Sequence, residues 1–144
     1  MHVASDRGRA LSQLDDGTAA PEVDALSSTG RDGRAAVVVW HHCDDQYQRA
    51  TAGVAVTVRG LPGAGRPGVL RHFRIDASHS DSHTAWVAAN RPADPTADQL
   101  RGILARSALE RCAEDVHYER LPDEAEVRFQ LPMPGVSLLE WAPG

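Results

Sequence analysis

The segment from Val69 to Trp86 constrains the fold most, because a strand pattern runs directly into a helix-start signal. Side chains alternate between the two faces of a strand, so every second residue shares a face. One face carries Val69, Arg71, Phe73 and Ile75, and the other carries Leu70, His72, Arg74 and Asp76. The alternation predicts that Phe73 and Ile75 lie in the core.

Two helices are predicted after this strand. The first is short, from about Ser82 to Ala89, with Asp81 or Ser82 as its cap. The second begins after Pro95, where Thr96 and Gln99 have the spacing of a capping box. Helical spacing predicts a buried stripe made of Leu100, Ile103, Leu104 and Ala108.

Further strand patterns occur along the chain, separated by turn signals such as Asp32-Gly33. They cover Val23–Ser28, Ala35–Trp40, Val54–Val58, Val127–Leu131 and Val136–Trp141. The Ala35–Trp40 segment is apolar on both faces and is predicted to be central, whereas 41–47 and 60–68 are predicted loops. Because helices do not regularly separate the strands, we expect a mainly β protein, an antiparallel β-sandwich with a short two-helix insertion.

Composition narrows the possible partners. The 144 residues are enough for one domain, which at this size buries roughly 70% of its unfolded surface. A formal charge of −5 without a basic stripe argues against a nucleic-acid partner. No apolar run approaches the roughly 20 residues of a membrane span, and the N-terminus lacks the apolar core of a signal peptide. We therefore expect a cytoplasmic protein without a membrane partner.

Four segments resemble the family-39 glycoside hydrolases, the β-xylosidase and α-L-iduronidase group. His72-Phe-Arg-Ile-Asp76, followed by His79-Ser80-Asp81, is similar to a stretch of the β-xylosidase branch. The other segments are 37–45, 57–62 and 131–140, and the order is consistent from residue 24 to residue 142. His41-His42-Cys43 stands where the family usually has Asn-Tyr-His. In the family, these stretches belong to the β-sandwich near the C-terminus and not to the catalytic barrel.

The resemblance does not extend to an active site. Family members are retaining glycosidases on a TIM barrel of about 250 residues. Two glutamates, roughly 5 Å apart, act as acid/base and nucleophile, and the acid/base follows an asparagine. Here the one asparagine, Asn90, precedes Arg91, and 144 residues cannot hold both barrel and sandwich. We assign no catalytic residue and expect the chain alone to be non-catalytic.

The resemblance implies a division of the chain and a parent activity. Residues 1–22 would be the remnant of a link to a catalytic barrel, and residues 23–144 a β-sandwich accessory domain, either truncated or separately encoded. The parent would hydrolyse O-glycosidic bonds in xylan-derived saccharides without metal or organic cofactor. Its TIM-barrel catalytic domain would be the partner, and a homo-oligomer is also conceivable. The alternative is a stand-alone, non-catalytic β-sandwich module that binds carbohydrate or protein.

A set of polar residues is predicted to form a structural network or an interdomain contact. Its members are His41, His42, His72, Arg74, Asp76 and His79. A metal site at His79 and His83, or within 41–45, is less favoured because zinc needs three or four convergent ligands. No cofactor is expected.

Three tryptophans and two glutamates are also candidate sugar-binding or surface residues. Trp40 and Trp86 are predicted to pack in the core, while Trp141, near the chain end, is the best candidate for exposure and sugar stacking. Glu124 and Glu126 alternate on a strand and are predicted to form a solvated sheet edge.

Overall fold

Strands make up most of the part of the chain that the structure describes. The structure is a computed structural model, and it describes residues 22–45, 47–60, 69–112, 117–120 and 124–142. The strands are β1 (Glu22–Thr29), β2 (Ala35–His42), β3 (Thr51–Arg59), β4 (Val69–Ile75), β5 (Glu110–Arg111), β6 (His117–Arg120), β7 (Glu124–Pro132) and β8 (Gly135–Ala142). The helices are α1 (Ser82–Ala88) and α2 (Ala97–Ala105).

The strands form two antiparallel sheets. A five-stranded sheet has the order β1-β2-β8-β4-β5, and a three-stranded sheet has the order β3-β7-β6. Two helices lie between β4 and β5 in the chain. The predicted fold class, an antiparallel β-sandwich with a short two-helix insertion, is confirmed. Interior placement of β2 is confirmed as well, since it pairs with β1 and β8.

The core fills the space between the two sheets. Val37, Val39 and Leu139 enter it from the five-stranded sheet, and Val127 and Leu131 enter it from the three-stranded sheet. Alternation along each strand selects these positions, because every second residue points inward.

Trp141 belongs to this core, so its predicted exposure is wrong. It is only 3% exposed because it stands two residues after Leu139, on the same inward face of β8. Its position near the end of the chain does not make its side chain accessible to solvent. Trp40 and Trp86 are half-buried, and the Trp86 indole Nε1 donates to the Pro92 carbonyl oxygen at 3.1 Å.

The β4 strand is correctly predicted, but its two faces are exchanged. His72, Arg74 and Asp76 are buried, whereas Ile75 is 47% exposed. Alternation fixes the period of a strand without stating which face points inward. Pairing with β8 decides the matter, because Leu70 lies opposite Trp141 and His72 lies opposite Leu139. The prediction that Phe73 and Ile75 occupy the core is therefore wrong.

Local turn and capping signals are confirmed. Gly33 has φ +79°, which is the left-handed conformation expected of the β1–β2 turn. The Asp81 carboxylate caps α1 by accepting from the backbone N–H groups of His83 and Thr84. Thr96 and Gln99 form the complete capping box of α2.

The buried stripe predicted for α2 is wrong. Leu100 is 44% exposed and Leu104 is 57% exposed, while Ala108 lies beyond the end of the helix at Ala105. Ile103 is half-buried. In the described part of the chain, α2 contacts α1 more than it contacts any strand, so its apolar side has little sheet to pack on.

Three smaller expectations also need correction or qualification. His41 and His42 belong to β2 and not to a loop. Glu124 and Glu126 lie on β7, the middle strand of its sheet, where their carboxylates pair with Arg59 and Arg128. The predicted loop at 60–68 and the predicted N-terminal segment 1–22 lie mostly outside the described residues.

Neither described helix has the length and apolar content needed to span a membrane.

Candidate functional site

Polar side chains gather on the inner face of the five-stranded sheet. Ser137 on β8 lies between Val39 on β2 and Arg74 on β4 in the sheet register. Ser137 and Arg74 are both buried. We call His72, Arg74, Asp76, His79 and Ser137 the inner polar cluster.

Asp76 organises the backbone where β4 ends. Its Oδ1 accepts from the backbone N–H of Ser78 at 2.7 Å and of His79 at 2.9 Å, and it lies 2.9 Å from His79 Nδ1. Asp76 and His79 also form a backbone bridge. Burial alone would raise the pKa of Asp76, but hydrogen bonds from the His79 ring and the Ser78 and His79 backbone hold it below the usual value. The carboxylate is therefore ionised at neutral pH.

Arg74 and His72 pack beneath the three-stranded sheet. The Arg74 guanidinium carbon lies 5.8 Å from the Phe129 ring centroid, and the His72 ring centroid lies 4.9 Å from it. Arg74 Nε is 3.9 Å from Asp76 Oδ2, too long for a hydrogen bond but close enough for ionic attraction. Among the described residues, no group accepts a hydrogen bond from Arg74 Nε or Nη2. Arg74 is thus a buried cation held by an aromatic face and one carboxylate.

His72 is held in its neutral form. Its Nε2 lies 3.0 Å from the Ser137 hydroxyl oxygen. Burial, followed by the positive charges of Arg74 and His79, lowers the pKa of His72 to about 4. A second proton on this ring would add a buried positive charge next to Arg74.

The structure places the predicted polar residues in three different settings. It brings His72, Arg74, Asp76 and His79 together. His41 is buried apart from them, with Nδ1 3.0 Å from the Leu131 carbonyl oxygen on the facing sheet. His42 is exposed, with Nε2 3.4 Å from Asp44. His41 and Arg74 are buried in this structure, and the structural or interdomain role of the network stays a prediction.

Sequence reasoning missed Ser137 and Phe129 as members of this environment. Ser137 could have been found, because it is a lone hydroxyl at an inward position of the apolar strand β8. Phe129 lies in the predicted strand Val127–Leu131, but its contacts with β4 depend on how the two sheets pack, which strand patterns do not specify.

The histidines do not form a metal centre in the described ranges. No group of three or more His, Cys, Asp or Glu side chains there converges as a ligand set. His79 faces Asp76, whereas the His83 ring packs 5.8 Å from the Trp86 ring. His79 and His83, the pair considered as metal ligands in the sequence analysis, therefore contact different residues.

A cleft of about 890 Å³ lies between the end of β4, helix α1 and the β7–β8 turn. Its apolar lining includes Ile75, Val87 and Val136, and its charged lining includes Arg49, Arg91 and Asp76. The volume falls within the range of small-molecule pockets. The cleft also receives Asp81, the cap of α1.

The two aspartates of this cleft lack the properties of a glycosidase pair. A general acid needs a carboxyl group whose pKa is raised towards the working pH. The pKa of Asp76 is lowered as described, and the Thr84 hydroxyl, with the backbone of Thr84 and His83, lowers the pKa of Asp81. Both groups are ionised hydrogen-bond acceptors that fix backbone, so neither serves as a proton donor near pH 7.

Comparison with known proteins identifies the fold. No family model and no curated protein matches the sequence. Among solved structures, the GH39 enzyme from Xanthomonas axonopodis pv. citri matches with TM-score 0.63 and 16% identity, covering 83% of this chain and 26% of that chain. A bacterial orthologue of human α-L-iduronidase gives TM-score 0.62 and 19% identity, covering 85% and 22%.

A monomeric β-xylosidase from Caulobacter crescentus gives TM-score 0.58 and 21% identity, covering 83% of this chain and 26% of that chain. The fold is that of one part of these glycosidases. This chain spans only about a quarter of the length of each. The β-sandwich fold expected from the motif resemblance is therefore present.

Proposed function

We propose that this chain is the accessory β-sandwich domain of a β-xylosidase-like GH39 glycosidase, with the catalytic machinery on a separate stretch of polypeptide. One observation carries the proposal. The match takes in 83–85% of this chain but only 22–26% of the three enzymes. A chain that aligns almost throughout with a minor part of three longer enzymes has the size and fold of a component.

The xyloside substrate class is supported by the β4 motif. His72-Phe-Arg-Ile-Asp76 resembles the β-xylosidase branch, and one structural neighbour is a β-xylosidase. The motif contributes His72, Arg74 and Asp76 to the inner polar cluster, and Asp76 fixes the backbone where β4 ends. Parent enzymes of this class would cleave O-glycosidic bonds in xylan-derived saccharides.

The absence of catalysis in the isolated chain is tested with aryl β-xylosides and a panel of other aryl glycosides. We expect no turnover above the buffer rate, because hydrogen bonds from the His79 ring to Asp76 and from the Thr84 hydroxyl to Asp81, together with backbone N–H donors, keep both carboxylates ionised. The purified catalytic portion of a GH39 enzyme is the positive control. Turnover by the chain that disappears in Asp76→Asn or Asp81→Asn would overturn the proposal.

The 890 Å³ cleft beside helix α1, which we call the α1 cleft, favours a second candidate function, that of a stand-alone module that binds saccharide. Arg91 and His83 line it beside apolar Ile75 and Val136. Calorimetry with xylo-oligosaccharides, without any catalytic portion, distinguishes the two functions. Binding to the chain alone that is lost in Arg91→Ala and kept in Arg34→Ala, a remote surface control, would favour the binding module.

A further inference from the structure

The outer face of the five-stranded sheet carries two adjacent apolar rows, one across four strands and one across three. In one row, Leu26 lies opposite Val38, Val38 opposite Leu138, and Leu138 opposite Phe73. In the next row, Trp40 lies opposite Val136, and Val136 opposite Ile75, while Asp24 on β1 lies opposite Trp40 and ends the apolar part of the row. We call these seven side chains the outer apolar face.

This face is incompletely covered in the described part of the chain. Leu26 is 67% exposed and Ile75 is 47% exposed, and the other five members are half-buried. The two described helices pack chiefly on each other. An antiparallel sheet with a solvated outer side normally alternates apolar-in with polar-out, so two adjacent apolar rows indicate a face that another surface covers.

A charged boundary ends the outer apolar face on one side. The following row places Arg71 directly opposite Glu140, two charged residues on neighbouring strands. At the other side, the face continues into the α1 cleft, because Ile75 and Val136 line that cleft together with Val87. The outer apolar face and the cleft therefore form one continuous surface.

The size of this surface favours a tethered domain over a second copy. With strands about 4.8 Å apart and same-face residues about 6.8 Å apart, the seven positions of the outer apolar face cover roughly 230 Å². A stable homodimer buries about 800 Å² on each partner. Contacts between domains of one enzyme begin at roughly 600 Å² in total, and a covalent link adds an effective concentration of about a millimolar. The outer apolar face together with part of the α1 cleft has the size expected of a contact between two linked domains.

We infer that the outer apolar face and the adjoining α1 cleft are the docking surface for the catalytic portion of a GH39-type glycosidase. The inference rests on the proposed function. The three structural neighbours each contain about three quarters of a chain beyond the region matched here. That remainder supplies a covering surface of the required extent.

The test measures binding of this chain, in trans, to the purified catalytic portion of a GH39 glycosidase from the organism that encodes it. Leu26→Arg and Ile75→Arg are combined, because these are the two most exposed members at opposite sides of the face. Leu104→Arg is the matched control, a leucine 57% exposed on α2. Two cations desolvated in an apolar contact should weaken binding by about 30-fold or more, whereas the control should bind like the wild type.

The outcomes separate this inference from the proposed function. Equal binding by the wild type and the double variant would overturn the docking face and leave the accessory function standing. No binding by the folded wild type with the catalytic portion at about a millimolar, the effective concentration that a covalent link supplies, would overturn both. Self-association of the wild type that the double variant abolishes, without binding to the catalytic portion, would assign the face to a second copy and overturn the inference. Circular dichroism of each variant establishes that it is folded.

A second measurement does not depend on purified partners. In the three neighbouring structures, the positions that superpose on Leu26, Val38, Leu138 and Phe73 should be covered by the part of the enzyme beyond the matched region. Solvent exposure of those positions, with another face of the sandwich covered instead, would overturn the assignment of the docking surface.

Discussion

Single residues of the inner polar cluster make the fold sensitive to acid. His72 has a pKa of about 4 in the folded chain, against an ordinary value of 6.5. The unfolded chain therefore binds the proton first, and folding stability is lost as the pH falls below 6.5. The loss is complete near pH 4. Asp76, whose pKa is lowered from 3.8, adds its own loss only below that range.

Replacing His72 by glutamine should flatten this dependence, because glutamine keeps a polar group near the Ser137 hydroxyl without titrating. The wild type should lose about 2 kcal/mol of unfolding free energy between pH 7.5 and pH 5, and His72→Gln should lose clearly less. Urea unfolding at both pH values measures the difference. His42→Gln is the control, since His42 is exposed, and it should follow the wild type. Parallel losses in all three proteins would exclude His72 as the source.

The buried guanidinium of Arg74 should lower the free energy of unfolding relative to an apolar side chain of similar length. A buried cation with an incomplete set of acceptors can often be replaced by an apolar side chain of similar length without loss. We expect Arg74→Met to unfold within about 1 kcal/mol of the wild type or to be more stable. Arg74→Ala should be less stable by about 2 kcal/mol, because it removes the packing on Phe129. A strongly destabilised Arg74→Met would show that the guanidinium charge itself stabilises the fold.

At the scale of elements, signals confined to a few neighbouring residues were predictable and signals that depend on another element were not. The Asp81 cap, the Thr96–Gln99 capping box and the Gly33 turn are local, and the structure has all three. The inward face of β4 depends on its β8 partner and on Phe129 from the other sheet. The apolar side of α2 was predicted to be buried because its side chains recur at helical spacing. That spacing does not show which other element, if any, packs against the helix.

The strand β8 offers a direct check of the inward and outward faces. Leu139 is fully buried in the core, whereas its neighbour Leu138 is half-buried on the outer apolar face. Leu139→Ala should cost about 2–5 kcal/mol in unfolding free energy, and Leu138→Ala no more than about 1.5 kcal/mol. Chemical denaturation of the two variants in the same buffer compares identical side chains one residue apart. Equal losses would show that the assignment of faces is wrong.

At the scale of the whole molecule, the fold class followed from the number and spacing of strand patterns. The match to one part of GH39 enzymes agrees with the four motifs in register. The candidate site could be predicted only as a set of residues, because strand order and sheet packing decide which side chains meet. Sequence order placed His41 and His42 beside each other, yet one is buried against Leu131 and the other is exposed.

Docking should also appear as thermal stabilisation of this chain. A partner that binds only the folded state adds about 2.7 kcal/mol when present at one hundred times its dissociation constant. We expect the unfolding temperature of the wild type and of Leu104→Arg to rise with added catalytic portion. That of the Leu26→Arg/Ile75→Arg variant should not move. Hydrogen exchange of the β1 and β2 amides, measured with and without the partner, checks that the gain arises at this sheet.

The positions of the three tryptophans give the molecule its own optical reporters. Trp141 is sealed in the core, Trp86 is anchored to Pro92 beside helix α1, and Trp40 lies in the second row of the outer apolar face. Emission from Trp40 should shift to shorter wavelength when another surface excludes water from that row. Emission from Trp141 should change only when the sandwich opens. Fluorescence of single-tryptophan variants can thus follow assembly and unfolding as separate events in one unlabelled chain.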